Sequence, residues 1–321
     1  MKIIQQFEFG SADVLRVQQT HVPSLTDREV LIKGAYTSIN FADIKNRTGA
    51  KAKGAFPITL GLDLAGTVIE SCSSHFNVGD RVIAFPKNGS YSEVAVAHEN
   101  LTYKIPTNLS FEQAATMPTV SFLAEILVNA IGNVSKEDTV IIHSAAGGVG
   151  SMLVQLCKQL QCQKIIATVG SSKKINYVKT LGADVVCTYE EFVGTTLEAT
   201  NSYGATVIFD SVAGNITADS LHCLAPFGTL VQFGNSSGVK GIFSTNDVHS
   251  SCRSIKGFSL GTTRKLKPEF IRPYAENMID QFANQTLQLH IDRIFNLDNI
   301  IEAHQYFEKR QHHGKILLKL N

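Results

Sequence analysis

From Lys136 onward the chain alternates between two textures. Short unbroken apolar runs, "TVIIH", "KIIATV", "ADVVCT", "ATVIFDSV" and "TLVQFG", are each followed by a segment in which apolar residues recur every three or four positions. Runs of the first kind suit strands buried on both faces, and the second kind suits helices that cover them. The pattern predicts a doubly wound parallel sheet. "SIKGFSL" is a further strand candidate at its edge.

The first third reads differently. "EVLIKGAYTSIN", "LAGTVIE", "DRVIAF" and "YSEVAVA" are short, rich in β-branched and aromatic residues, and separated by turn formers such as "NVGD". They predict a small β-barrel or sandwich. Two helical runs follow. Ser110 and Gln113 have capping-box spacing at the start of the first, and the second, "SFLAEILVNAIG", ends at Gly132. After the parallel region come a helix, "KPEFIRPYAENMIDQFAN", a strand, "DRIFN", a helix, "LDNIIEAHQYFEKR", and a last strand, "KILLKL". That tail could extend the parallel sheet or rejoin the first region.

At 321 residues two domains are expected. The composition, 44% hydrophobic and 18% charged, is that of a soluble enzyme. A net charge of +1 gives no general attraction to nucleic acid or to a membrane surface, and neither is expected as a partner. No run of about 18 apolar residues is visible, so no membrane span is expected. The N-terminus lacks the features of a signal peptide. The six cysteines form no C-x-x-C and read as reduced thiols of a cytoplasmic protein.

The chemistry centres on the turn between "TVIIH" and the next helix, where Ala146, Gly147, Gly148, Val149 and Gly150 stand. Glycines let a bulky anion approach the backbone, and the helix N-terminus offers free N–H groups and the positive end of its dipole. A dinucleotide pyrophosphate is the expected guest; a ligand-free strand–helix connection is the plain alternative. The following strand ends in "VGSSKK", with no carboxylate to receive a ribose 2′-hydroxyl. Two hydroxyls and two ammonium groups there suit a 2′-phosphate, which points to NADPH. A solvated basic helix start is the rival, although lysine there opposes the dipole. Asn235, in "FGNSSG", follows the fifth strand and is placed at the nicotinamide end, or in a simple turn.

Six segments in order, "SINFADIKNRTG", "FPITLGLDLAGTV", "VGDRVIAF", "HSAAGGVGSMLVQLCKQL", "LGADVV" and "HGKILLKL", resemble the zinc-independent quinone oxidoreductase branch of the medium-chain dehydrogenase/reductase superfamily. The resemblance covers essentially the whole chain. It implies an α/β fold with a GroES-like catalytic domain, 1–119 and 262–321, and an inserted Rossmann domain, 120–261, with the active site in the cleft between them. It implies that Ser171, Lys174 and Tyr189 surround the 2′-phosphate and that Phe233, Gly234 and Asn235 line the coenzyme. It places Asn40 beside the nicotinamide, with Asp43 and Lys45 in the same segment. Lys45 would orient an acceptor carbonyl or pair with Asp43; a lysine at that place tilts the reading towards enones. Tyr91 would form a pocket wall or pack in the core. Leu123 stands where the family usually has a threonine.

Zinc-using relatives carry a Cys and a Gly-His-Glu where this chain has Asn40 and Gly61-Leu62-Asp63, so no metal is expected. The function implied is NADPH-dependent hydride transfer to a small molecule, a quinone or an α,β-unsaturated carbonyl. A non-catalytic NADPH-binding or redox-sensing protein is the alternative. "SIKGFSL", as an edge strand, could pair across a two-fold axis and make a homodimer.

Overall fold

The strand Glu29–Ser38 organises the first part of the molecule. The computed structural model describes residues 1–50 and 54–321. At ten residues this strand is long enough for two partners to share one of its edges. Val94–His98 pairs with its first half and Lys315–Lys319, from the end of the chain, with its last three residues. Leu64–Ser71 runs antiparallel along the other edge, followed by Arg81–Ala84 and Thr102–Lys104. Gly66 is required at the crossing, because a Cβ there would lie 2.2 Å from the Lys33 carbonyl oxygen. The tail strand Ile291–Asn296 pairs parallel to Lys315–Lys319. The tail therefore rejoins the first sheet. Ile4, Val30, Ile32, Leu64, Val82, Ile316 and Leu318 form the core of this region.

The second region is a six-stranded parallel sheet. Its order is Val185–Thr188, Lys164–Val169, Thr139–Ile142, Ala205–Asp210, Leu224–Gln232, Ser254–Gly257. In chain order that is 3-2-1-4-5-6, the Rossmann arrangement. All four residues of Thr139–Ile142 are buried, as a strand covered on both faces requires. Ser254–Gly257 is an edge strand. By contacts the chain divides into Met1–Phe122 with Thr263–Asn321, and Leu123–Thr262.

One element departs from the pattern reading. The two expected helical runs after Ser110 are a single helical element, Phe111–Ile126 continuing through Leu127–Gly132. It is 22 residues long, and an 18-residue window of it has a mean hydropathy of 1.5, enough to cross a membrane by length and composition; 78% of that window is buried, as in a core helix. Pro118 sits inside the helix. The capping box is half formed: Ser110 Oγ accepts from the Gln113 N–H at 3.2 Å, but the Gln113 side chain reaches the Leu289 carbonyl.

Ile208 lies fully buried on a central strand of the parallel sheet. Ile208→Ala should lower the unfolding free energy by about 2–5 kcal/mol, read from denaturant unfolding followed by circular dichroism.

Candidate functional site

In the first region the polar chemistry gathers on Asp63, which is fully buried. Its Oδ2 accepts from Ser38 Oγ at 2.5 Å and Asn40 Nδ2 at 2.8 Å; its Oδ1 accepts from the Thr119 amide at 2.9 Å and the Thr119 hydroxyl. Pro118 explains the amide. A proline loosens the helical ladder, and the next N–H is turned onto a side chain. The Lys315 ammonium, 3% exposed as a side chain, lies 3.7 Å from Asp63 Oδ2 and donates to Asn40 Oδ1 at 2.7 Å. Asn40 thus spends both ends of its carboxamide on Asp63 and Lys315.

Asn40 also caps the helix Phe41–Arg47, and the fully buried Asp43 carboxylate accepts the Asn40 N–H at 2.8 Å and the Gly61 N–H at 3.1 Å. Burial pushes the Asp43 carboxyl up to about 7; the Asn40 amide opposes this, the Asp63 charge adds to it, and Lys315 and Gly61 oppose it. Burial likewise lowers the Lys315 ammonium. Asp43 and Lys45 point to different surroundings: Asp43 is sealed beside Lys315, whereas the Lys45 ammonium lies 5.5 Å over the Phe41 ring. Tyr91 is a core residue, fully buried.

In the second region the glycine turn is built as the sequence suggests. Gly147 caps the helix Gly148–Gln159, and a Cβ on Gly150 would stand 2.4 Å from the Ser144 carbonyl oxygen and 2.6 Å from Ala145 Cα. Only glycine permits that packing. Ala146 is buried, and Val149 is half-buried, outside the fully buried face formed by Met152, Leu153, Leu156 and Cys157. Ser171 and Lys174 open the turn after Lys164–Val169, where Ser171 Oγ accepts from the Lys173 N–H. Val169 pairs with Thr188, so Tyr189 stands at the same sheet end. The Tyr189 hydroxyl is committed to Ser144, 2.9 Å from its N and 3.0 Å from its Oγ. The tyrosine therefore ties the start of the glycine turn to the end of the strand Val185–Thr188.

After the next strands, Phe233 N donates to the Asp210 carbonyl at 3.0 Å, and Gly234 allows Ser236 N to reach the Ser211 carbonyl at 3.0 Å. Asn235 Oδ1 accepts from Ser237 Oγ at 3.3 Å. Phe233, Gly234 and Asn235 are thus held in a loop laced to residues 210–212. Ser211 Oγ and Gln232 Oε1 are buried there without a protein partner.

Sequence reasoning passed over His143 and Asp210. Asp210 accepts from the Val212 and Ala213 amides and from Thr217 Oγ, fixing the loop after its strand. His143 is fully buried between Thr168 and Ser220, 2.9 Å from each hydroxyl. Ser220 Oγ donates to the Ile216 carbonyl, so His143 Nε2 carries the proton and Nδ1 accepts from Thr168. Burial pushes its pKa down to about 4.

The zinc of related folds does not fit this donor set. Asn40 and Asp63, which the resemblance sets against zinc-ligand positions, are bound to each other and to the Lys315 ammonium. Among the described residues no group of three or more His, Cys, Asp or Glu could hold a metal. A dinucleotide does fit: the Gly150 close approach, the free first turn of Gly148–Gln159 and the orphaned Ser211 and Gln232 atoms are a cradle of the right kind.

Comparison with known proteins defines the class. Residues 26–107 match the alcohol dehydrogenase GroES-like domain and residues 148–277 the zinc-binding dehydrogenase domain. The chain is 30% identical to the quinone oxidoreductase of Pseudomonas aeruginosa, covering 99% of both chains. Escherichia coli quinone oxidoreductase complexed with NADPH superimposes with a TM-score of 0.93 at 26% identity, covering 99% of this chain and 100% of that one. A mycobacterial protein complexed with NADPH gives 0.92 at 29% identity, over 99% of each chain. The fold and its two domains define an oxidoreductase of the medium-chain dehydrogenase/reductase class. Within it, the chain belongs to the quinone oxidoreductase branch.

Two outcomes follow from these charges. Lys315→Met leaves two buried carboxylates without their cation and should cost about 3–5 kcal/mol of stability in denaturant unfolding. His143, at about 4, and His304, pushed by burial to about 3, both lie below their ordinary 6.5. The unfolded chain takes up protons that the folded chain refuses, so their stabilisation is complete above about pH 6.5 and is lost as pH falls towards 4. Asp43, raised from 3.8 to about 7, works in the opposite sense over that window. Two histidines outweigh one carboxyl, and calorimetry should show the melting temperature falling from about pH 6.5 to about pH 4.5.

Proposed function

We propose that this protein reduces a quinone or an α,β-unsaturated carbonyl with NADPH, without a metal. The observation that carries the reading is the sheet end where the Ser171 and Lys174 turn follows the strand next to the one that opens the Gly147–Gly150 turn, the two joined by the Ala145 N–H to the Thr168 carbonyl. NADPH in the related structures supports it. When bound, NADPH supplies the hydride that reduces the acceptor. The amides of Gly148, Val149 and Gly150 would hold the pyrophosphate, Ser171 and Lys174 the 2′-phosphate, and Phe233–Asn235 the nicotinamide end. Lys45 is assigned to orienting the acceptor carbonyl. Asn40 and Asp43 act as fixed supports of that segment, since their polar atoms are already engaged. We also infer a homodimer through the edge strand Ser254–Gly257, for which light scattering should return twice the chain mass.

Lys174→Glu removes a charge-assisted contact and adds repulsion. It should weaken NADPH at least ~10-fold and leave NADH within about twofold in fluorescence titration. Stopped-flow mixing of the NADPH complex with a panel of quinones and enones should oxidise the coenzyme; tight binding with no turnover of any acceptor would identify a sensor instead.

A further inference from the structure

Ser144 stands between the strand Thr139–Ile142 and the glycine turn, in a backbone conformation that a serine seldom adopts. Its φ is 55°, in the left-handed region that favours glycine. The residues on either side are held by the sheet. His143 N donates to the Phe209 carbonyl at 3.1 Å and Ala145 N to the Thr168 carbonyl at 3.0 Å. Between them the Ser144 N–H turns to a side chain: it donates to the Tyr189 hydroxyl at 2.9 Å, and the two hydroxyls lie 3.0 Å apart.

The Ser144 carbonyl is built into the turn. It accepts from Gly147 N at 3.0 Å, and Gly150 packs so tightly against it that a Cβ there would fall within 2.4 Å of the oxygen. One carbonyl therefore sets the start of the helix Gly148–Gln159, whose first amides have no partner within the helix. The phenol that holds this residue is itself fixed. Its ring centroid lies 5.9 Å from that of His143, and His143 is pinned by the Thr168 and Ser220 hydroxyls at 2.9 Å each. Tyr189 follows Val185–Thr188, two strands from Thr139–Ile142. It passes Gly170 on the way, where a Cβ would stand 4.0 Å from the tyrosine ring.

We propose that Tyr189 is a positioning residue for the coenzyme pyrophosphate: its hydroxyl latches Ser144 in the left-handed conformation that sends the Ser144 carbonyl into the turn. With the latch gone, Ser144 relaxes towards negative φ, its carbonyl leaves Gly147 and Gly150, and the first-turn amides lose their aim. The latch acts on NADPH and NADH alike, and discrimination of the 2′-phosphate is left to Ser171 and Lys174. The inference rests on the coenzyme site of the reading above, and it replaces the direct 2′-phosphate contact that the resemblance implies for Tyr189.

Two measurements test it. Hydrogen exchange of the wild-type full chain without coenzyme, followed by NMR, should show the Ser144 amide protected at least ~10-fold over an open loop amide. Exchange at the open-loop rate overturns the latch without any mutation. Displacement of NADPH fluorescence then divides the roles, using ADP-ribose, which carries the pyrophosphate but no 2′-phosphate, and 2′-AMP, which carries the 2′-phosphate but no pyrophosphate. Tyr189→Phe should weaken ADP-ribose about 3–10-fold and leave 2′-AMP within about twofold. A loss on 2′-AMP as large as that on ADP-ribose, or no change on either, overturns the proposal. Adding Ser144→Gly to Tyr189→Phe should recover at least about twofold in ADP-ribose affinity, because glycine takes up that φ unaided. No recovery leaves Tyr189 as a packing residue. A chain that shows this binding pattern but turns over no quinone or enone would sink the reductase reading and leave the latch standing.

Discussion

An ammonium and two carboxylates are buried together in the first region, and much of its polar architecture answers to that. Taking charges out of water is costly unless each is paired and its remaining lone pairs are satisfied. Asp63 is satisfied by Ser38, Asn40 and Thr119, and Asp43 by the amides of Asn40 and Gly61. The cation comes from the far end of the chain. Lys315 begins the last strand, which pairs with the final residues of Glu29–Ser38. The first sheet cannot neutralise its own carboxylates until residue 315 arrives, 275 positions after the asparagine it binds. The tail is therefore an electrostatic part of the site as well as a strand of the sheet.

The parallel region solves a similar problem with neutral groups. His143 joins the ends of two elements through hydroxyls, with its ring uncharged, and Tyr189 links the glycine turn to the neighbouring strand end. Backbone approach does the rest: Gly150 lies against Ser144 and Ala145 in a space no other residue can share. The result is a turn whose amides are held in place before any anion arrives. Preorganised donors of this kind lose little freedom on binding.

The parallel sheet was legible because its signals are local. Unbroken apolar strands, a glycine turn and helical spacing each lie within a dozen residues. The segments of Asn40 and Asp63 were legible through family resemblance, since no local pattern marks an asparagine as special. What was not legible depends on long-range contacts. "HGKILLKL" reads as a last strand, and nothing in it says that its lysine is a buried counter-ion. Asp43 and Lys45, two apart, look like a pair, but a helical turn sends the first into the core and the second over Phe41. Tyr91 looked like a wall or a core filler and is fully buried. The two helical runs on either side of Pro118 read as separate; they form one helix through the proline, and the Thr119 N–H that follows it is given to Asp63.

The way Lys315 is used bears on which acceptors the proposed reaction could serve. A Lewis acid helps reduction by polarising a carbonyl, which needs an open coordination position. The Lys315 ammonium has three protons, and three oxygens surround it: Asn40 Oδ1 at 2.7 Å, the Ile39 carbonyl at 3.4 Å and Asp63 Oδ2 at 3.7 Å. The first two are hydrogen bonds and the third is an ion pair, and with the side chain only 3% exposed the ammonium is committed to the protein. The cation of this cluster is thus engaged in holding Asn40 and Asp63. Under the proposed reading the acceptor must spread the incoming charge through its own conjugation, as a quinone or an enone does and an isolated aldehyde or ketone does not. The same pairing that makes the buried cluster stable is what narrows the chemistry.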